Sequence, residues 1–259
     1  MDNPMGRTVG IFDGISTEDF GVKLINMDSG IQTDPFLPQQ EFVEDETFYR
    51  DNPYHYGTKK SVLELNVTFF KEGFWDQELK SKFAEMIDPR DGNFVEFFTE
   101  QDPDKRYFVK YLDAVNFNNA GNQGGYFTVR FRTNSPYTYS REHEVNYDFS
   151  ATATNQFYLV NNGVVDLEPE LWIDKVGNGS IEIINNTTGV TMLIENLENT
   201  EELYIDNENG DIISSLEVNN VYRYDSHNGE YLIFSTGTNN ITVKGRCTLK
   251  LKYRFKIKG

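Results

Sequence analysis

Apolar and polar residues alternate with a period of two through most of this chain, and with a period near 3.6 in one segment. Ser61–Phe70, SVLELNVTFF, puts Leu63, Leu65, Val67 and Phe69 on one side, as a half-buried strand requires. Directly afterwards Trp75, Leu79, Phe83, Met86 and Ile87 recur at helical spacing, with Asp76 as N-cap and Pro89 as stop. Strand character returns at Arg106–Phe117 and Tyr126–Arg132, and the glycine-rich link Gly121–Gly125 predicts a long hairpin there. Ile31–Gly57 obeys neither period. It carries Pro35, Pro38 and Pro53, the acidic cluster Glu44-Asp45-Glu46, and the aromatics Phe36, Phe42, Phe48, Tyr49 and Tyr54. Two readings stand: a projecting arm or extended hairpin, and an ordinary long surface loop.

Ser135-Pro136-Tyr137 to about Val145 punctuates the chain as a domain boundary does. From Tyr147 onward no helical period occurs. Short strands are spaced by the turn groups Asn161-Asn162-Gly163, Gly177-Asn178-Gly179, Asn209-Gly210 and His227-Asn228-Gly229, which predicts an antiparallel sandwich or jelly roll. The final strand alternates strictly. Leu249, Leu251, Tyr253, Phe255 and Ile257 face one way; Lys250, Lys252, Arg254, Lys256 and Lys258 face the other. Asp166, Glu168 and Glu170 alternate in the same manner, with Leu167 and Leu171 opposite. Side by side, the two segments would form a cross-strand charge ladder of Asp166, Glu168 and Glu170 against Lys250, Lys252 and Arg254. Alternatively, the basic row guards an exposed sheet edge.

Composition narrows the function. The 259 residues suffice for two domains with cores of their own, and the 20 Phe and 15 Tyr favour strands. A net charge of −17 argues against general nucleic-acid binding, because phosphates are repelled. One cysteine, Cys247, excludes an internal disulfide and a cysteine zinc site; it reads as a small packed side chain. No run approaches ~18 apolar residues, so no membrane insertion is expected. The start MDNPMGRTVG lacks the apolar stretch of a signal peptide, which predicts a product that stays in the cytoplasm or leaves by lysis.

Catalytic patterns are absent. His55, His143 and His227 lie far apart, with no second histidine at metal-ligand spacing and no Gly-x-Ser-x-Gly elbow. Asp206–Asp211, DNENGD, resembles a calcium loop, but aligning Gly210 with the loop's glycine puts Ile205 at the first ligand position. A hairpin turn at Asn209-Gly210 is the expectation. The residues therefore predict no enzyme, no cofactor and no metal.

Several segments resemble, in order, the distal tail protein family of long-tailed (siphovirus) bacteriophages. The first is Ile11–Leu24, IFDGISTEDFGVKL, read as two short strands about a turn at Gly14–Thr17. Tyr54–Leu65, YHYGTKKSVLEL, follows. Arg106–Phe117, RYFVKYLDAVNF, and Gly125–Ser140, GYFTVRFRTNSPYTYS, resemble the end of that family's first domain. Glu168-Pro169-Glu170-Leu171, Ile205–Glu208 and Gly237–Ile241 resemble its later turns and strand start.

The resemblance implies a mainly β structural protein of two domains. Residues 1–140 would form a ring-forming β-sandwich with an arm near 31–57 and a helix near 75–88. Residues 141–259 would form a galectin-like β-sandwich. It further implies a virion protein of the tail tip, assembled in the host cytoplasm. Six copies would close into a ring joining the tail tube to the tail-associated protein, with the tape-measure protein and the receptor-binding apparatus as further neighbours. A head-to-tail ring needs two different patches per subunit, and Phe36, Phe42, Phe48, Tyr49 and Tyr54 are the candidates on the arm. The half before Tyr147, with 25 acidic and 15 basic residues, suits a lumen that must not hold DNA. The alternative is a carbohydrate-binding module contacting the host wall. Against it, galectins use a His-x-Asn-x-Arg strand and a stacking Trp; His227-Asn228-Gly229 lacks that spacing, and Trp172 is expected in the core.

Overall fold

A computed structural model describes residues 8–25, 37–219 and 221–258. The chain divides into two compact units, Met1–Tyr139 with Lys258–Gly259, and Ser140–Ile257.

The first unit is built on one curled sheet with a helix laid on it, and carries a separate two-stranded sheet. Its strands run in the order Ile15–Ser16, Gly10–Phe12, Val95–Thr99, Asp102–Tyr111, Gly124–Thr133, Glu64–Glu72 and Lys23–Ile25. Thr8 and Leu24 exchange backbone hydrogen bonds of 3.1 and 2.9 Å, which joins the two sides of the sheet around the core. Inside lie Phe12, Phe69, Phe97, Phe127 and Phe131, all buried. Their rings meet stacked, as Phe12 and Phe97 do at 4.6 Å, or tilted, as Phe69 and Phe127 do at 5.2 Å. The helix Gln77–Ile87 starts where the Asp76 carboxylate accepts the Leu79 N–H at 2.7 Å. It lowers Phe83 and Met86 onto the core, where Phe83 packs edge-on to Phe69 and Trp75.

The opening segment is built differently from its sequence reading. The tight turn is Asp13-Gly14, both with positive φ, linking Phe12 to Ile15. Thr17–Phe20 then forms a single 3-10 turn, capped by the Ser16 hydroxyl and ended by Gly21 in the left-handed region. The anticipated Arg106–Arg132 hairpin also changes. Asp102–Tyr111 pairs with Gly124–Thr133 only at Tyr111, Lys110 and Val109, while Asn118–Asn119 takes the other end of that strand. The long partner of Gly124–Thr133 is Glu64–Glu72, paired from Gly124↔Glu72 to Arg132↔Glu64.

The second unit is a sandwich. A five-stranded sheet, in the order His143–Asp148, Cys247–Tyr253, Glu170–Lys175, Glu202–Asp206, Asp211–Ser214, faces a four-stranded sheet. The latter runs Thr154–Asn161, Gly237–Lys244, Gly179–Asn185, Thr191–Leu197. Leu171, Ile173, Ile205, Leu249 and Leu251 from one sheet meet Ile181, Ile183, Met192, Ile194, Ile241 and Val243 from the other in a single apolar layer. Cys247 is part of that layer, and burial pushes its thiol up to about 11. At the sandwich rim Arg223 and Glu201, 5% and 1% exposed, form a bidentate pair at 2.7 and 2.8 Å. Ser214 Oγ and the Glu198 N–H also donate to the Glu201 carboxylate. Burial raises that carboxyl, but these hydrogen bonds outweigh it and hold it below the ordinary glutamate value.

Candidate functional site

Two surfaces carry the candidate residues. The first is a two-stranded sheet of Gln40–Asp45 and Tyr54–Lys60, registered from Gln40↔Lys60 to Asp45↔Tyr54 with a shift after Val43. Every residue of both strands except Gly57 is exposed. A half-buried strand hides alternate side chains; here Phe42 is 61% exposed and Tyr56 66%. At the tip Phe48 and Tyr49, 96% and 93% exposed, meet edge to face at 5.3 Å. Arg50 lies 4.2 Å from the centre of the Tyr54 ring, and His55 Nδ1 is 3.0 Å from Glu44 Oε1. The root is tied down by Ser61 N–H donating to Gln39 O at 2.9 Å and Lys60 Nζ donating to Tyr137 Oη at 2.9 Å. Phe36 lies outside the described residues. The arrangement brings Phe42, Phe48, Tyr49 and Tyr54 onto one projecting element, and adds Tyr56, which the sequence reading did not single out. The signal was present: Tyr54 and Tyr56 are one period of two apart.

The second surface is the outer face of the five-stranded sheet. Glu170 stands opposite Lys252 and Trp172 opposite Lys250 in the register of Glu170–Lys175 with Cys247–Tyr253. Asp166 and Glu168 do not join that pairing, because Leu167 bridges to Phe234 and carries them toward another segment. The basic row finds most of its partners elsewhere. Lys252 Nζ lies 3.4 Å from Glu142 and 3.5 Å from Glu144, Arg254 3.6 Å from Glu142, and Lys256 2.8 Å from Glu208. The nearby Glu142 and Glu144 charges hold the Lys252 ammonium above its usual range. Burial pushes the Glu170 carboxyl up, and the neighbouring Asp206 and Glu142 charges add to it.

Trp172 corrects the sequence reading. Its neighbours Leu171 and Ile173 fill the core, so alternation turns the indole outward. There Lys250 Nζ sits 4.4 Å from its ring centre and Tyr204 packs at 5.1 Å.

Among the described residues, groups with chemistry do not converge. His55 sits on the exposed arm, His143 stacks on Tyr253, and His227 packs against Tyr231. Lys175 is buried, donating to the Val176 carbonyl at 3.1 Å, and burial lowers its ammonium pKa. Among the described residues no group of three His, Cys, Asp or Glu side chains is placed to hold a metal ion. Asp206 accepts the N–H groups of Glu208 and Asn209, spending its carboxylate on the turn that Gly210 closes.

The arm leaves its rings exposed on a β scaffold, and comparison with known families says what kind of protein carries it. Residues 7–135 match the model of a phage tail protein N-terminal domain, and residues 137–253 that of a phage tail C-terminal domain. The chain belongs to the phage tail proteins. An uncharacterized protein of the SPbeta prophage in Bacillus subtilis strain 168, YomH, is 25% identical over 247 residues, spanning 95% of this chain and 96% of that one. The fold is that of the SPP1 distal tail (Dit) protein, described as a paradigm of the hub adsorption apparatus in phages infecting Gram-positive hosts. The two superpose with a TM-score of 0.68 at 11% identity over 96% of this tail protein and 99% of the other. A chain of the phage P2 baseplate, solved in its activated conformation with Ca, superposes with a TM-score of 0.60 at 8% identity over 95% of this chain and 97% of that one.

Proposed function

We propose that this phage tail protein is the hub of the tail tip, a non-enzymatic ring of six copies. The ring joins the tail tube to the tail-associated protein and stands beside the tape-measure protein and the receptor-binding apparatus. The observation that carries this reading is the projecting arm, whose exposed rings sit on a fold shared end to end with a hub protein. Subunits of a closed ring meet through two unlike patches, and such a joint buries about 800 Å² per partner. Each arm ring covered by a neighbour contributes roughly 1.5–3 kcal/mol. The first unit, with 23 acidic against 15 basic residues, lines a lumen through which DNA passes without adhering. The virion tail tip is the final location, reached by assembly in the host cytoplasm.

A sugar-binding module is the weaker reading, because Lys250 already stands over the Trp172 ring on which a sugar would stack. The test is to mix the protein with assembled tail tubes and image them by electron microscopy. Six-fold rings at one end of each tube are expected. Decoration along the whole tube, or bare tube ends at saturating protein, would overturn the proposal.

A further inference from the structure

A sheet edge offers unpaired backbone groups to any other strand, and folded proteins blunt such edges with charge, shortness or cover. Among the described residues the sandwich has four edges, and three are blunted. His143–Asp148 carries His143, Glu144 and Asp148. Asp211–Ser214 is four residues long, with the Ile212 N–H donating to Tyr224 Oη and the Ser214 N–H to Glu217. Thr191–Leu197 is covered by Asn228. Its N–H donates to Leu193 O, its side-chain oxygen accepts the Leu193 N–H, and its Nδ2 donates to Thr191 O. His227 bridges Ile194 beside it.

The fourth edge, Thr154–Asn161, has none of these devices. It is eight residues long, pairs on one side with Gly237–Lys244, and on the other side meets no described strand. It lies within Phe149–Val165, a run of 17 residues with no charged side chain and no proline, in a chain of net charge −17. Tyr158 is 66% exposed and Val160 47%.

We infer that Thr154–Asn161 is a pairing edge for a second copy of this chain, related to the first by a two-fold axis at Tyr158. Charge selects this occupant. The unit that carries the edge holds 18 acidic against 9 basic residues between positions 140 and 257, so a copy is repelled wherever the surface is charged. A basic foreign partner would be drawn to that charged surface, whereas a copy approaches most easily at a neutral strip. Register selects the axis. Antiparallel neighbours share a face, and the exposed residues of this strand are the even-numbered ones. Centring on Tyr158 sets Tyr158 opposite its symmetry mate, Gln156 opposite Val160, and Phe157 opposite Leu159. Outward residues then meet outward ones, and core residues continue the core. Every facing pair is uncharged. The contact is isologous, so it couples copies two by two and does not depend on the ring proposed above.

Cysteine placement tests the axis, because Cys247 is fully buried. Tyr158→Cys, under a mild oxidant at low micromolar protein, is expected to yield a reducible covalent dimer. Formation should be about ten times faster than for Ile213→Cys, an exposed position on a shielded edge, since only facing strands bring two Cα atoms within about 7 Å. Val160→Cys alone is expected to cross-link poorly, its mates lying roughly 13 Å apart along the strands. A mixture of Gln156→Cys and Val160→Cys proteins is expected to cross-link well. Equal rates for Tyr158→Cys and Ile213→Cys, or a faster reaction of Val160→Cys alone than of the mixture, would overturn the inference.

Discussion

The arm and the sandwich are both antiparallel β-structure, and they treat their apolar residues in opposite ways. In Glu170–Lys175 alternate residues disappear into a core, Leu171 and Ile173 being fully buried. In Gln40–Asp45 no residue is buried on either side. A two-stranded ribbon with no covered face is marginal on its own. The contrast teaches that one backbone pairing serves two ends: in the sandwich it buries alternate apolar side chains, and in the arm it leaves them exposed, open under the proposed function to a neighbouring subunit.

Substitutions can break or sharpen that contrast. The largest loss of stability is expected from Arg223→Ala, which strands the Glu201 carboxylate in the sandwich rim and costs about 3–5 kcal/mol in chemical denaturation. The effect is pH-dependent. The folded Glu201 carboxyl lies below its unfolded value, so its contribution is complete above about pH 4.5. It fades as pH falls through the folded value, and wild type and variant should converge in acid. Ile173→Ala opens a cavity in the sandwich core and is expected to cost about 2–5 kcal/mol. Asp76→Ala removes the helix cap and should cost about 1 kcal/mol, read as a modest drop in Tm. At the small end, Phe48→Ser with Tyr49→Ser should leave monomer stability within about 0.5 kcal/mol, because these rings touch little of their own fold. A loss of several kcal/mol from the arm pair would erase the contrast.

Local features were the legible ones. The helix announced itself through Trp75–Ile87, its Asp76 cap included, because cap chemistry and 3.6-residue spacing act within a few residues. The core face of Glu64–Glu72 was readable for the same reason. Pairing over long distances was not. Alternation in Asp166–Glu170 and in Leu249–Lys258 says that both are extended, but not that Leu167 turns to Phe234 and leaves Glu170 alone opposite Lys252. Trp172 shows the converse error. A large indole reads as core by size, yet the period of two around Leu171 and Ile173 places it outside. The arm was visible as a break in both periods, and its paired strands became definite only through the register of Gln40–Asp45 with Tyr54–Lys60. The Arg223–Glu201 pair, 22 residues apart in sequence, left no local signal at all.

The most direct test of the account is the solution mass by light scattering coupled to size exclusion, for wild type and for the Phe48→Ser, Tyr49→Ser variant, across a concentration series. The ring predicts a wild-type species near six times the 29.9 kDa chain, or near twelve times where Thr154–Asn161 edges also pair two rings, and a variant that folds with unchanged stability yet runs as smaller species. A variant that assembles as fully as wild type, or a wild type that stays monomeric even when tail tubes are added, would contradict it.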